Sequence, residues 1–217
     1  LIPPYLEALC WELAQTGRLL DERGLKLSNI YIGGGTPTTL SAEQLARLMD
    51  CVARTCNLSR LREYTVEAGR PDTITAEKLA AIRAGGAGRV SINPQTMNDA
   101  VLARIGRRHS AADVLVAYEM ARAAGFPVIN MDTIAGLEGD TPESFRHTME
   151  TLIGLGPENI TVHTLAIKRG ADLSDKAANV RQHDSVKAML DGAAAALGQA
   201  GYGPYYLYRQ KFTAGGF

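Results

Sequence analysis

The chain has 217 residues, enough for one domain with a properly buried core. Its 23 basic and 23 acidic residues cancel, so charge gives no general affinity for nucleic acid or for an anionic membrane surface. No apolar run reaches the length of a membrane span, no signal peptide is visible, and three cysteines fit a reducing cytoplasm better than a disulfide framework.

In chain order, helix-like and strand-like segments alternate. Leu6, Leu9, Leu13 and Leu20 form one stripe of a helix predicted over Pro4–Arg23, with proline in a tolerated first-turn position. Strand-like runs follow at Asn29–Ile32, Glu63–Ala68, Arg89–Asn93, Val128–Ile134 and Asn159–Leu165. Helices are predicted between and after them at Ser41–Cys56, Thr75–Ala84, Ala111–Ala124, Thr141–Ile153 and Ser174–Gln199. Ser41 with Gln44 resembles a capping box, and Thr141-Pro142-Glu143 places a cap before a first-turn proline. Strands that are each followed by a helix imply a parallel sheet, either doubly wound or rolled into a barrel. The chain opens on Leu1 and stops at Phe217 in what reads as mid-sequence, so a fragment of one domain is expected.

The most informative stretch is Tyr31-Ile32-Gly33-Gly34-Gly35-Thr36-Pro37-Thr38. A strand running into three glycines and a Thr-Pro turn leaves backbone N–H groups bare, which suits close approach of an anionic or amino-acid-like ligand. A plain strand-to-helix turn is the alternative.

The strands carry a second message. Fully buried parallel strands are continuously apolar, whereas here Thr65 and Glu67, Ser91 and Asn93, and Asn130 and Asp132 share a face within their strands. The polar members sit near the C-terminal strand ends, where βα enzymes place their chemistry, and an aqueous lumen is the expected reason. Glu67 is placed to accept from a ligand hydroxyl or ammonium, Gln95 ends the third strand, and Asp132 lies on the fourth. Arg107 sits in a short basic turn, Ile105-Gly106-Arg107-Arg108-His109, able to pair with a carboxylate. Together these are the groups needed to hold an amino acid plus a ribose.

At these residues the sequence resembles the radical S-adenosylmethionine enzymes, and within them the oxygen-independent coproporphyrinogen III oxidase (dehydrogenase) group. The matching stretches are Gly33 to Thr38, Thr65 to Ala68, Ser91 to Gln95, Gly106-Arg107, Asn130 to Asp132 through Gly136-Leu137, Thr141 to Phe145, and Gly201-Tyr202. The resemblance implies an α/β fold, a partial (β/α)6 TIM-like barrel over residues 1–217, holding a [4Fe–4S] cluster and S-adenosylmethionine. The activity it implies is oxidative decarboxylation of two propionates of coproporphyrinogen III to vinyl groups, giving protoporphyrinogen IX. In that reaction a 5′-deoxyadenosyl radical abstracts hydrogen. A porphyrinogen substrate and an external electron donor such as flavodoxin or ferredoxin are the partners implied, with no nucleic acid and no membrane.

Carried over position by position, Gly34 and Glu67 would contact the S-adenosylmethionine at the cluster. Gly35, Thr36, Gln95, Arg107, Asp132 and Ala166 match positions lining a second S-adenosylmethionine or the substrate side. Alternation puts Ser91, Asn93 and Gln95 on one face; His163 has the opposite parity to Ala166 and is expected to pack or to point outward. The family's C-x₃-C-x₂-C cluster motif is absent: Cys10, Cys51 and Cys56 have other spacings and fall on predicted helices, where free cysteine acts as a small hydrophobe. The first strand and its cluster loop are therefore expected upstream of Leu1, and no metal ligand is assigned in this chain. Asn93-Pro94 also stands where the family commonly has Gly-Val. Together with Ile167-Lys168-Arg169, the ending Pro204-Tyr205-Tyr206-Leu207-Tyr208-Arg209-Gln210-Lys211 looks most like the coproporphyrinogen dehydrogenase-like branch. Two rival classes stay open: a haem chaperone on the same barrel, and a metal-free (β/α) enzyme that binds a phosphate on the glycine turn.

Overall fold

The structure is a computed structural model that describes residues 1–165 and 176–205, with the side chains of 176–182 excepted. Helix α1 (Ile2–Glu22) leads into β1 (Asn29–Ile32), then α2 (Ala42–Thr55), β2 (Glu63–Gly69), α3 (Ala76–Ala84) and β3 (Arg89–Gln95). After a short α4 (Asp99–Arg104) come α5 (Ala111–Ala123), β4 (Val128–Ala135), α6 (Pro142–Leu155), β5 (Asn159–Thr164) and α7 (Lys176–Gln199). Single 3-10 turns at Pro37–Thr39 and Pro71–Thr73 follow β1 and β2.

The strands lie in the sheet in chain order, β1-β2-β3-β4-β5, and β1–β2, β2–β3 and β4–β5 pair in parallel. A doubly wound sheet reverses its strand order at a switch point. This order does not reverse, which resolves the choice left open by the sequence in favour of the barrel-type α/β arrangement. No described helix is long and apolar enough to cross a membrane.

Local chemistry explains the helix starts. Ser41 and Gln44 form the reciprocal capping box, with Gln44 N–H donating to Ser41 Oγ at 3.2 Å and Ser41 N–H to Gln44 Oε1 at 2.9 Å. Thr141 caps α6 by accepting from Ser144 N–H at 3.2 Å, ahead of Pro142 in the first turn. The α4 turn is absent from the sequence-based segmentation. Its signal is Asn98, whose Oδ1 accepts from the N–H groups of Ala100 and Val101.

Two compact units divide the chain: Leu1–Ile92 with Val114–Ile129, and Asn93–Asp113 with Asn130–Phe217. The first has its core in Leu6, Leu45, Leu48, Met49, Val52, Val66, Leu79, Ile82, Val90 and Ile92, all buried. Gly17 of α1 lets that helix approach α2: a Cβ there would stand 1.8 Å from the Thr55 carbonyl oxygen. In the second unit, Ala135, Phe145, Met149, Met189 and Ala193 form one buried cluster, with Ile160, Val162, Leu190 and Leu197 packed against it.

The cysteines lie on or next to α1 and α2. Cys10 and Cys51 are helical, while Cys56 is the residue after α2 rather than within it. Cys51 Sγ donates to the Cys10 carbonyl at 3.6 Å. Burial, followed by side-chain hydrogen bonding with Cys10, pushes the Cys51 thiol from its ordinary value near 9 up to about 11.

Candidate functional site

In the first unit, register places Tyr31 beside Thr65 and Asn29 beside Glu63 on β1 and β2, and Thr65 beside Arg89 and Glu67 beside Ser91 on β2 and β3. These side chains share one sheet face. Its N-terminal end is closed by an ion pair, Arg89 Nη1 to Glu63 Oε1 at 3.2 Å, and Thr65 Oγ1 donates to the same carboxylate at 3.1 Å. Thr65 and Ser91 are buried, whereas Glu67 is only half-buried. An aqueous lumen therefore does not explain the polarity at the level of Thr65 and Ser91, which lie away from solvent.

Above Glu67 lies the glycine turn. Gly34 and Gly35 have φ of 79° and 56°, left-handed values that exclude most side chains, and a Cβ on either would meet nothing within 4 Å. Gly33 is needed for a different reason: a Cβ would stand 2.2 Å from Tyr31 Cε1 and 2.9 Å from Glu67 Oε2. The turn thus leaves open space beside a carboxylate. Thr36 lies against the C-terminal residue of β2, where a Cβ on Gly69 would stand 3.1 Å from Thr36 Cγ2.

Two residues not singled out in the sequence hold this turn. Thr38 is fully buried; its hydroxyl donates to the Ala68 carbonyl and lies 2.6 Å from Thr73 Oγ1. Lys78 Nζ donates to the carbonyls of Thr38 at 2.6 Å and Thr73 at 2.9 Å. The cation therefore ties the turns after β1 and β2 together. The threonine following the Thr-Pro pair was the available signal for Thr38; nothing in the sequence marks Lys78.

In the second unit, Gln95 departs from its expected geometry. It is the single non-glycine residue with positive φ among the described residues, at 70°, so the alternation of Ser91 and Asn93 does not carry through to its side chain. The conformation is held on several sides. His109 Nε2 donates to the Pro94 carbonyl at 3.2 Å, since a carbonyl can only accept, and Thr133 Oγ1 donates to the Gln95 carbonyl at 2.8 Å. Next along, Met97 N–H donates to Thr148 Oγ1 at 3.0 Å. Strained backbone persists where its surroundings over-determine it, and such positions cluster at functional sites. The Gln95 side chain is buried and its Oε1 has no hydrogen-bond partner among the described atoms. An orphaned buried acceptor of this kind calls for a ligand donor or a water.

Asp132 belongs to a polar chain on β4 and β5. Thr161 Oγ1 donates to Asn130 Oδ1 at 2.8 Å, and Asn130 Nδ2 donates to Asp132 Oδ1 at 2.7 Å. His163 corrects the sequence reading. It registers with Ile134 two positions beyond the Asp132–Thr161 pair, so it shares the Asp132 face, and its Nε2 stands 3.9 Å from Asp132 Oδ1. The parity argument failed because it was taken from Ala166, beyond the end of β5 at Thr164. Ala166 itself lies outside the described residues, as do Lys168, Arg169, Arg209 and Lys211.

Arg107 is half-buried and follows α4. Gly106, with φ of 71°, donates its N–H to the Ala103 carbonyl at 3.1 Å, and Arg107 N–H donates to the Leu102 carbonyl at 2.9 Å. This is a Schellman ending, which fixes the backbone direction at Arg107.

The residues present fit the two implied cofactors differently. In the first unit, the open diglycine turn beside the Glu67 carboxylate suits a polar, amino-acid-bearing nucleoside such as S-adenosylmethionine. An iron–sulfur cluster needs converging thiolates, and the described residues contain no group of three or more metal-ligating side chains.

A parallel α/β sheet with an open glycine turn beside a strand-end carboxylate has its counterpart among known proteins. Residues 12–152 match the radical SAM superfamily, and the chain belongs to it. Among curated relatives, it is 41% identical over 97% of its length to the oxygen-independent coproporphyrinogen-III oxidase-like protein HemZ of Bacillus subtilis, covering 43% of that protein. It is 40% identical over 77% of its length to the haem chaperone HemW of the same organism, covering 44% of it. Among solved structures, coproporphyrinogen III oxidase (HemN) of Escherichia coli matches with a TM-score of 0.78 and 29% identity, over 93% of this chain and 46% of that one. The chain thus spans less than half the length of these relatives.

Proposed function

We propose that this chain is the core domain of a radical SAM oxidoreductase that converts coproporphyrinogen III to protoporphyrinogen IX without oxygen. The observation that carries the reading is the 41% identity over 97% of the chain to a relative named as coproporphyrinogen-III oxidase-like. S-adenosylmethionine, when bound, supplies hydrogen-atom abstraction from a substrate propionate. The backbone N–H groups around Gly34 and the carboxylate of Glu67 hold its amino-acid or ribose groups. Gly35 and Thr36 in the first unit, and Gln95, Arg107 and Asp132 in the second, are assigned to a second S-adenosylmethionine or to the substrate, together with Ala166. Arg107 pairs with a carboxylate as a planar two-donor fork. A low-potential protein such as flavodoxin or ferredoxin supplies electrons.

The test is an anaerobic assay of the protein at full gene length, with reductant, S-adenosylmethionine and coproporphyrinogen III. Formation of protoporphyrinogen IX and carbon dioxide is expected. The 40% identity to a haem chaperone supports a second reading. On that reading the same preparation binds haem stoichiometrically, with a Soret band, and turns over no coproporphyrinogen.

A further inference from the structure

We propose that Tyr31 is a positioning residue for Glu67: its phenol holds the carboxylate through Oε2. The inference rests on the reading of Glu67 as an S-adenosylmethionine contact. It starts from register, which pairs Tyr31 with Thr65 and so puts its side chain on the Glu67 face. Tyr31 Oη donates to Glu67 Oε2 at 3.2 Å. The ring lies over Gly33, where an added Cβ would meet Tyr31 Cε1 and the same Glu67 oxygen. Ring, carboxylate and glycine are therefore fitted to one another, and the first glycine of the turn is what makes room for the pair.

Packing does not account for the tyrosine. Its residue surface is 61% exposed, so burial of the ring contributes little, and β1 otherwise places partly exposed or exposed residues at every position. A glutamate has three side-chain torsions, and immobilising them on ligand binding costs entropy. A phenol bonded to Oε2 narrows the rotamers of the carboxylate before the ligand arrives.

The expected effect is modest, because 3.2 Å is long for an O–H···O bond. In the protein at full gene length, Tyr31→Phe keeps the ring over Gly33 and removes only the hydroxyl. It should weaken S-adenosylmethionine binding by about three- to tenfold. Isothermal calorimetry on the cluster-loaded protein reads the affinity, and the S-adenosylmethionine-induced change in the electron paramagnetic resonance of the reduced cluster reads the geometry. In a Glu67→Gln background the same substitution should change affinity by less than about twofold, since the group it positions has changed. Parent protein that binds while Tyr31→Phe binds equally well would overturn the inference and leave the S-adenosylmethionine reading standing. An equal loss from Tyr31→Phe in both backgrounds would also overturn it, marking a role independent of Glu67. Parent protein that binds no S-adenosylmethionine would overturn that reading and this inference with it.

Discussion

The hydroxyl of Thr38 donates to the backbone carbonyl of Ala68, the residue directly after Glu67. The turn that bares its N–H groups and the strand that carries the carboxylate are thereby fastened at one buried point, with Lys78 donating to the Thr38 carbonyl. Thr38→Val keeps the shape but leaves the Ala68 carbonyl without this donor, at a cost of about 1–3 kcal/mol. Urea unfolding should show the loss, and ligand affinity should fall as well, because the turn and Glu67 move relative to each other.

Glu67→Gln keeps the side chain's shape and removes its charge. A hydrogen bond to a charged group contributes about 1.5–3 kcal/mol, so S-adenosylmethionine binding should weaken by roughly ten- to a hundredfold. Calorimetry on the protein at full gene length measures this. Unchanged affinity would remove Glu67 from the site.

On the function proposed above, Arg107→Ala in the protein at full gene length should abolish decarboxylation of coproporphyrinogen while leaving the cluster spectrum intact. The Schellman ending at Gly106 is made by backbone groups and survives the substitution, so the fold around α4 should persist and circular dichroism should be unchanged. Turnover at the parent rate would mark Arg107 as a surface residue.

Cys51 supplies a test by pH. With its thiol pushed up to about 11 from near 9, the thiolate fraction at pH 8 falls about a hundredfold, partly offset by the greater nucleophilicity of a more basic thiolate. Alkylation by iodoacetamide should therefore run about tenfold slower than for an ordinary cysteine. The thiolate of Cys51 should then keep forming as pH rises through 11, where an ordinary thiol is already fully ionised. Labelling followed by mass spectrometry reads this; a Cys51 rate equal to that of free cysteine at pH 8 contradicts it.

Two glycines in helices should respond oppositely to alanine. Gly17→Ala puts a methyl 1.8 Å from the Thr55 carbonyl, and overpacking of this kind costs about 1–3 kcal/mol. Gly154, in α6, has nothing within 4 Å of an added Cβ, so its alanine variant should gain about 0.5–1 kcal/mol from helix propensity alone. Denaturant midpoints of the two variants check both signs.

The fold was legible wherever periodicity carried it. The strand at Asn29–Ile32 and the helix caps at Ser41 and Thr141 follow from local patterns, because cap chemistry acts over three residues. The short α4 was not legible, since six residues show no amphipathic period. The candidate site residues were assigned from strand-end position and family likeness, but the contacts that support them locally were not legible. Lys78 reaches the Thr38 carbonyl, and Thr148 reaches Met97, across long stretches of chain, and no local pattern encodes such contacts. The left-handed Gln95 defeated alternation because its conformation is imposed by His109, Thr133 and the Met97–Thr148 bond around it. His163 was misread because alternation was carried past the end of its strand.

The chain-order sheet bears on how the protein is made. A ribosome releases residues from the N-terminus, and each new strand of this sheet has as its neighbour the strand just completed: β2 emerges onto β1, and β5 onto β4. Among the described strands, none waits for a partner several elements further along the chain. Loop closure spans one helix from β1 to β2, β2 to β3 and β4 to β5, and the α4–α5 pair from β3 to β4, so its entropic cost grows only slowly along the chain. Assembly can advance by accretion, strand by strand, with the Glu67 end of β2 in place before the Asp132 end of β4 leaves the exit tunnel.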